Sequence, residues 1–522
     1  MSVNQSLGTK INREKLIFLL NDTTKTADLI GNDSVSGDVL IPRSVKHETQ
    51  EFIIINISKG SFANSKTIRS VKFSSDSELQ TICGGAFAGS SIESVFIPSN
   101  LTKICENAFS CCSHLKSVEI PTDSNLQIIE NEAFFETPIE NFTIPPHITK
   151  ICERCFYNCS QLKHVEIPSN SELQVIENDA FSESLIENFT IPPHLTKICE
   201  HAFYECRQLQ SIEIPDDSDL RIIEKEAFAS TSIENFTIPP HLTKICERCF
   251  SFCKKLKKIE IDQKSELETV EYGAFFFSAI ESLCLPSSIS ELKEGWCCGT
   301  PKLAKVTIIP TGLQNFFYHD NGLIVGKTDS KSDEFDILVF ARRDLKKVTF
   351  PSSIKRVASY AFAQSEIEYI FTSPHLEKIG ESAFFSCQHL KKFDIPENSE
   401  LRVIGKHAFS ESSLERIFIP PRVTKICERA FYCCKKLQRV EVPAESQLRE
   451  IGSDAFSDSA IVYLFIPPRV TKICEDAFYP CKSLKVIEID EKTDMKTIEQ
   501  RKFCDCENAI VLVPMRFNDK FI

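Results

Sequence analysis

At 522 residues the chain is long enough for three or four ordinary domains. Its 60 basic and 73 acidic side chains leave a net charge of −13 with both signs interspersed, which favours solubility and argues against nucleic acid as a partner. No stretch approaches the roughly 18 consecutive apolar residues of a membrane span, so no membrane insertion is expected.

The amino terminus places Lys10, Arg13 and Lys15 before the apolar run Leu16-Ile17-Phe18-Leu19-Leu20. That run is too short for a signal-peptide core and lacks a small-residue cleavage site, so it is expected to form a short capping helix. Val39-x-Ile41-Pro42 and the apolar run from Phe52 to Ile55 read as an edge strand and a first irregular coil. Residues 1–50 are therefore an amino-terminal cap, atypical because its outer face meets water.

From 51 to 310 the chain repeats: near copies of one 47-residue stretch begin at Ile97, Ile144, Ile191 and Ile238. Each copy holds two similar units. The first carries Leu195, Ile198, Ala202, Phe203 and Leu209-x-x-Ile212-x-Ile214; the second carries Leu220, Ile223, Ala227, Phe228 and Ile233-x-x-Phe236-x-Ile238. The phenylalanines of the Ala-Phe pairs, from Phe87 through Phe109, Phe134, Phe156, Phe181, Phe203 and Phe228 to Phe250, fall alternately 22 and 25 residues apart. Alternating Leu-x-x-Ile-x-Ile is a half-buried strand, and Ile-x-x-x-Ala-Phe is expected to form a short helix-like turn. One strand and one turn make one coil. Proline after the strand, as in Ile191-Pro192-Pro193, has no amide hydrogen and ends the ladder there. Three residues past each Phe stands a small polar side chain (Cys112, Thr137, Cys159, Ser184, Cys206, Thr231), suited to capping buried backbone groups.

The unit at Trp296-Cys297-Cys298 is degenerate, and the next Ala-Phe pair comes only at Phe362. The surplus, residues 311–344, reads as an interrupting β-hairpin island whose two strands lie in Phe316–Val325 and Phe335–Phe340. The array resumes over 345–514, from Leu345-x-x-Val348-x-Phe350 through Phe384, Phe409, Phe431, Phe456 and Phe478 to Phe503, and 515–522 is a tail.

Twenty-three cysteines suggest a disulfide framework until their positions are compared. Cys105, Cys152, Cys199, Cys246, Cys427 and Cys474 recur once per two coils, about 10 Å apart at the usual strand spacing, beyond the reach of a disulfide. They read as buried thiols acting as small hydrophobes. Cys155 and Cys249, in Cys-x-x-Cys spacing, merely replace the Ala before Phe. His147, His194 and His241 form a column whose later slots hold Arg422 and Arg469, which speaks against a metal or catalytic role. No phosphate loop and no Ser, His and Asp set departs from the repeat. Only the nonrepeated segment 312–343 has room for an enzyme site, so no catalysis, cofactor or metal is expected.

With Leu-x-x-Ile-x-Ile-Pro, Ile-x-x-x-Ala-Phe and Phe-x-x-Cys established, the chain resembles the BspA-like leucine-rich repeat proteins, a surface-antigen class of protists and bacteria. The resemblance spans about residues 36–514 and includes the interrupting Asn321-Gly322-Leu323-Ile324-Val325. It implies a right-handed leucine-rich repeat solenoid with a parallel β-sheet on the concave face and short helical or irregular turns on the convex face. It also implies noncatalytic attachment to proteins of a host surface, of the extracellular matrix or of the same kind. Cell-surface display follows from the resemblance, yet neither signal peptide nor transmembrane segment is read here, so an intracellular scaffold is the alternative.

Strand residues flanking the inward position point outward, so surface chemistry is read column by column. Longer units present an acidic stripe, Glu119, Glu166, Glu213, Glu260, Asp394, Glu441 and Glu488. Shorter units present Asn with Thr early (Asn141 and Thr143, Asn188 and Thr190), then Tyr369 with Phe371, Arg416 with Phe418, and Tyr463 with Phe465. Exposed Phe, Tyr and Arg resemble interface anchors, and with Glu441 and Glu488 they form the candidate partner-binding set; cross-strand stacking is the competing reading. The Asn-x-Thr strands also fit a glycosylation sequon, but as copies of one duplicated strand they count once.

Overall fold

The computed structural model describes residues 8–262, 264–308, 316–319, 322–329, 331–493 and 510–512. They fall into two compact units, Met1–Leu256 with Glu260–Leu267, and Lys257–Ile259 with Glu268–Ile522. Both are solenoids of parallel coils.

Three hydrogen-bonded ladders hold the coils together. The first joins the expected strands: Ser117–Glu119 pairs with Ser94–Phe96 through Val118 and Val95, and Asn188–Thr190 pairs with Ser211–Glu213. The second joins two-residue strands at the opposite corner, where Lys103–Ile104 lies parallel to Ile128–Ile129. The third runs through the turns. Asn107, Phe109 and Cys111 donate their amides to the carbonyls of Asn131, Ala133 and Phe135 in the next coil at 2.7–3.0 Å, while Ala108 and Ser110 bond back within their own turn.

The third ladder overturns the helix-like reading of Ile-x-x-x-Ala-Phe, since no helix occurs among the described residues. A helix would keep its amide bonds inside the coil; here every second amide is exported to the neighbouring coil. The alternation requires left-handed backbone at two positions four apart, Asn107 (φ 59°) and Cys111 (φ 58°), then Glu132 (φ 55°) and Glu136 (φ 52°). Gly85 and Gly89 occupy these positions at φ 60° and 65°, where lack of a Cβ makes the conformation easy.

Coil spacing sets the core. In the first unit Phe62, Phe87, Phe109, Phe134, Phe156, Phe181, Phe203, Phe228 and Phe250 form one column, centroids 4.9–5.7 Å apart and ring planes within 19°. Phe142, from a strand, meets Phe156 edge-on at 4.7 Å. The second unit repeats the column from Phe362 to Phe478 at 4.9–5.9 Å, and Phe350, at the end of a strand, stacks on Phe362 at 5.9 Å. Small residues are obligatory beside it, so Ala108, Ala133 and Ala202 are fully buried, as is Cys155 in the same slot.

The small polar residue after each Phe does cap backbone. The Thr137 hydroxyl donates to the Phe134 carbonyl at 2.8 Å, and the Cys112 thiol donates to Phe87 O of the coil before at 3.0 Å. Hydroxyl and thiol also meet each other, as Ser184 and Cys206 do at 3.3 Å.

The first unit opens differently from expectation. Leu16–Asn21 is a strand, not a capping helix, with burial alternating along it. Six residues are too few for a stable helix, and the run instead pairs antiparallel with both Thr9–Arg13 and Thr26–Asn32. Thr26–Asn32 then lies parallel to Gln50–Ile57, which leads into the two-residue ladder. Gly37–Ile41 is the edge strand beside Ile68–Phe73.

The island in the second unit uses the same device. The expected two strands are three: Phe316–His319, Leu323–Gly326 and Ile337–Ala341 form an antiparallel meander. Ile337–Ala341 then pairs parallel with Arg356–Val357, so the island is part of the sheet and begins its two-residue ladder. Asp320 and Asn321, like Phe503 and the tail, lie outside the described residues. Arg343 bridges the coils on either side, buried to 2% exposure. Its guanidinium donates to the carbonyls of Ala361 (2.6 Å), Tyr360 (3.2 Å) and Cys297 (3.4 Å) and lies 4.9 Å from the Phe340 ring centroid.

Candidate binding surface

A three-residue strand with a buried centre shows two side chains outward, so each unit carries two outward columns. In the first unit one column sets Phe96 beside Glu119 and then alternates Thr with Glu, and the Thr143 and Thr190 hydroxyls donate to Glu166 and Glu213 at 3.1 and 3.2 Å. After Thr349 the second unit places Phe in that slot. Register pairs Phe371 with Asp394, Phe418 with Glu441 and Phe465 with Glu488. The parallel column runs Lys347, Tyr369, Lys392, Arg416, Arg439 and Tyr463. One column is acidic and aromatic, its neighbour basic and aromatic.

All eight candidate residues stand on this outward face. Tyr369 and Tyr463 are 37% and 41% exposed; Phe371, Phe418 and Phe465 are half-buried; Arg416, Glu441 and Glu488 are exposed. Asp394 and Glu441 separate the three phenylalanines by two strands, about 10 Å, so these rings do not stack on one another. Each has charged company instead. The Lys347 and Lys392 ammonium groups sit 5.1 and 5.5 Å from the centre of Phe371, and Lys391 lies 5.8 Å from Tyr369. The Tyr463 hydroxyl donates to Glu488 at 2.5 Å; burial, together with that carboxylate, raises its pKa to about 12.

The side chains frame two hollows. Lys392, Asp394, Arg416, Phe418 and Glu441 line one of about 440 Å³; Phe418, Arg439, Glu441, Tyr463, Phe465 and Glu488 line one of about 620 Å³. Phe418 and Glu441 belong to both, while Tyr369 and Phe371 stand outside. Lys347, Lys392 and Arg439 were missed by the column reading, although their outward strand position in the longer units marks them.

Other repeated residues are absorbed by the fold. His147, His194 and His241 each face a carboxylate of the following coil, Glu172, Asp219 and Glu266, at 3.1–3.4 Å, and Arg422 faces Glu400 at 3.6 Å. Among the described residues no disulfide forms; of the recurring column, Cys152 and Cys199 are buried while Cys105, Cys246, Cys427 and Cys474 are half-buried. Burial raises Cys105, Cys152 and Cys199 to about 11 and Cys155 well above the usual thiol range, which disfavours the reactive thiolate. Among the described residues no group of three His, Cys, Asp or Glu side chains is placed to hold a metal, and no helix is long and apolar enough to cross a membrane.

Parallel coils, a short strand per coil and a shared Phe column define a leucine-rich repeat solenoid. Within that class, the sequence profile of the BspA type leucine rich repeat region matches residues 48–163, 127–257, 174–304, 314–438 and 402–518, and the chain belongs to that family. No curated protein is significantly similar to it in sequence. Among solved structures it is similar to a leucine rich cell surface protein from Faecalibacterium prausnitzii A2-165 (17% identity, 97% of this chain and 94% of that one, TM-score 0.39). It is likewise similar to a leucine-rich repeat protein from Bacteroides ovatus ATCC 8483 (18%, 96% and 99%, TM-score 0.44) and to the pneumococcal vaccine antigen PcpA (16%, 98% and 95%, TM-score 0.37).

Proposed function

We propose that the chain is a noncatalytic attachment protein whose second unit binds a protein partner, of a host surface, of the extracellular matrix or of its own kind, through the outward strand columns. The observation that carries this reading is the pair of hollows sharing Phe418 and Glu441, rimmed by Arg416 and Arg439. Half-buried rings beside cations and carboxylates suit a protein surface, where aromatic and Arg anchors carry most of the binding energy. Family membership supports the reading, because leucine-rich repeat solenoids present repeated surfaces and are typically noncatalytic.

The test is solid-phase binding of the full chain to immobilised extracellular-matrix proteins and to itself. Phe418→Ala with Phe465→Ala should weaken binding at least thirtyfold, as expected for loss of about 2 kcal/mol or more at anchor residues, with unchanged thermal unfolding. Undiminished binding by the folded double variant discards this surface.

A further inference from the structure

The alternation of coil lengths has a consequence at the corner between turn and strand. Longer coils place two residues between the Phe-x-x-Cys thiol and the next inward Leu: Ser113-His114, Ser160-Gln161, Arg207-Gln208 and Lys254-Lys255. Shorter coils place one in the equivalent stretch, Pro138, Leu185 or Ser232. Each shorter coil of the first unit is therefore one residue tighter at this corner than the longer coils on either side. Along the chain Pro138 falls between Ser113 and Ser160, and Leu185 between Ser160 and Arg207; Ser232 has a cation on both sides, Arg207 and Lys254.

We propose that the corner at Ser232 binds an anionic saccharide, a sulfated sugar chain. It is a half-open hollow of about 390 Å³ lined by Arg207, Ser230, Ser232, Phe252, Lys254 and Lys255, with the buried Thr231 beneath, which falls within the size of small-ligand sites. Arg207 is held by Glu205 at 2.8 Å. Lys254 and Lys255 are exposed and have no carboxylate partner among the described residues, so the hollow keeps two positive charges in excess. Ser232 is anchored, its hydroxyl donating to the Arg207 carbonyl at 2.7 Å, and its oxygen stays open as an acceptor. Phe252, 43% exposed, offers a ring at the rim.

Cations for the acid group, hydroxyls for sugar hydroxyls and a ring for the apolar face of a pyranose together favour a saccharide over a bare anion, which would make no use of Phe252. The chain's net charge of −13 repels a polyanion at large, so attachment has to be local. This corner is distinct from the strand columns of the second unit.

The experiment is calorimetric titration of the full chain with a heparin-derived oligosaccharide, beside its desulfated form, inorganic sulfate and a polyglutamate of matched charge. The sulfated sugar should bind, and the desulfated sugar should not. Arg207→Gln with Lys254→Gln and Lys255→Gln should weaken binding at least tenfold, Phe252→Ala should weaken it several-fold, and Phe418→Ala with Phe465→Ala should leave it unchanged. Because the substituted cations are exposed, unfolding midpoints should not move. No binding by the native chain, or binding untouched by the triple substitution, overturns the site. Equal affinity for polyglutamate makes it an acidic-peptide site and overturns the saccharide assignment, as does sulfate binding as tightly as the sugar.

Discussion

An L-residue in left-handed backbone costs about 1–2 kcal/mol, yet turn after turn holds two. Asn158 (φ 51°) shows how the cost is offset: its amide donates to the Ser182 carbonyl of the next coil at 2.8 Å. Asn tolerates the conformation best after Gly. Asn158→Gly should therefore keep the denaturant midpoint nearly unchanged, whereas Asn158→Val should lower stability by about 1–2 kcal/mol through Cβ strain alone. Chemical denaturation of the two variants distinguishes them; equal stability would mean that the left-handed turn is not held by this position. Phe418 and Phe465 are the opposite kind of residue, half-buried beside charge rather than stacked in the column, and truncating them removes surface rather than core.

At the level of the element, the strands were legible and the turns were not. A period of two along Leu209-x-x-Ile212-x-Ile214, with Pro closing it, specifies a half-buried strand whatever surrounds it. Ile-x-x-x-Ala-Phe carries helical spacing, but its apolar residues report only which side chains face the Phe column, and the same spacing fits a turn that exports alternate amides. The overlooked signal was local: Gly60, Gly85, Gly89, Gly273, Gly295 and Gly299 recur at the left-handed positions, with Asn or Asp at several others. Leu16–Leu20 misled for the related reason that a short apolar run has no period of its own; its antiparallel partners decide the matter. The island was recognised as an interruption, but its third strand was missed because Phe316–Val325 reads as one continuous run, with Gly322 (φ 79°) leading into its second strand. Of the candidate surface, the aromatic and acidic residues followed from strand position, while Lys392 and Arg439 were passed over because charge on a strand face reads as ordinary solvation.

For the whole molecule, burying so many thiols fixes its response to alkali. Cys112, Cys159, Cys253 and Cys387 are raised by burial to about 11, and Cys206 and Cys434 to about 12, from an ordinary 9.0. Folded values lie above unfolded ones, so the thiols' contribution is complete below pH 9 and is lost as pH climbs through the folded values. Each costs about 1.4 kcal/mol per pH unit across that window. Denaturant midpoints should hold steady up to about pH 9 and then fall steeply, less so with Cys206→Ala and Cys434→Ala; a flat profile to pH 11 would contradict the burial of the thiol ladder. The fold supplies one continuous structural role for the inward residues, and function is then a property of what faces out. Hydroxyl-radical footprinting of the full chain, free and in complex with whichever protein the solid-phase assay identifies, tests that directly. Tyr369, Phe371, Phe418, Tyr463 and Phe465 should become protected while Tyr204 and Tyr432 on the turns stay reactive. Protection confined to the turns, with the strand columns unchanged, would contradict the account.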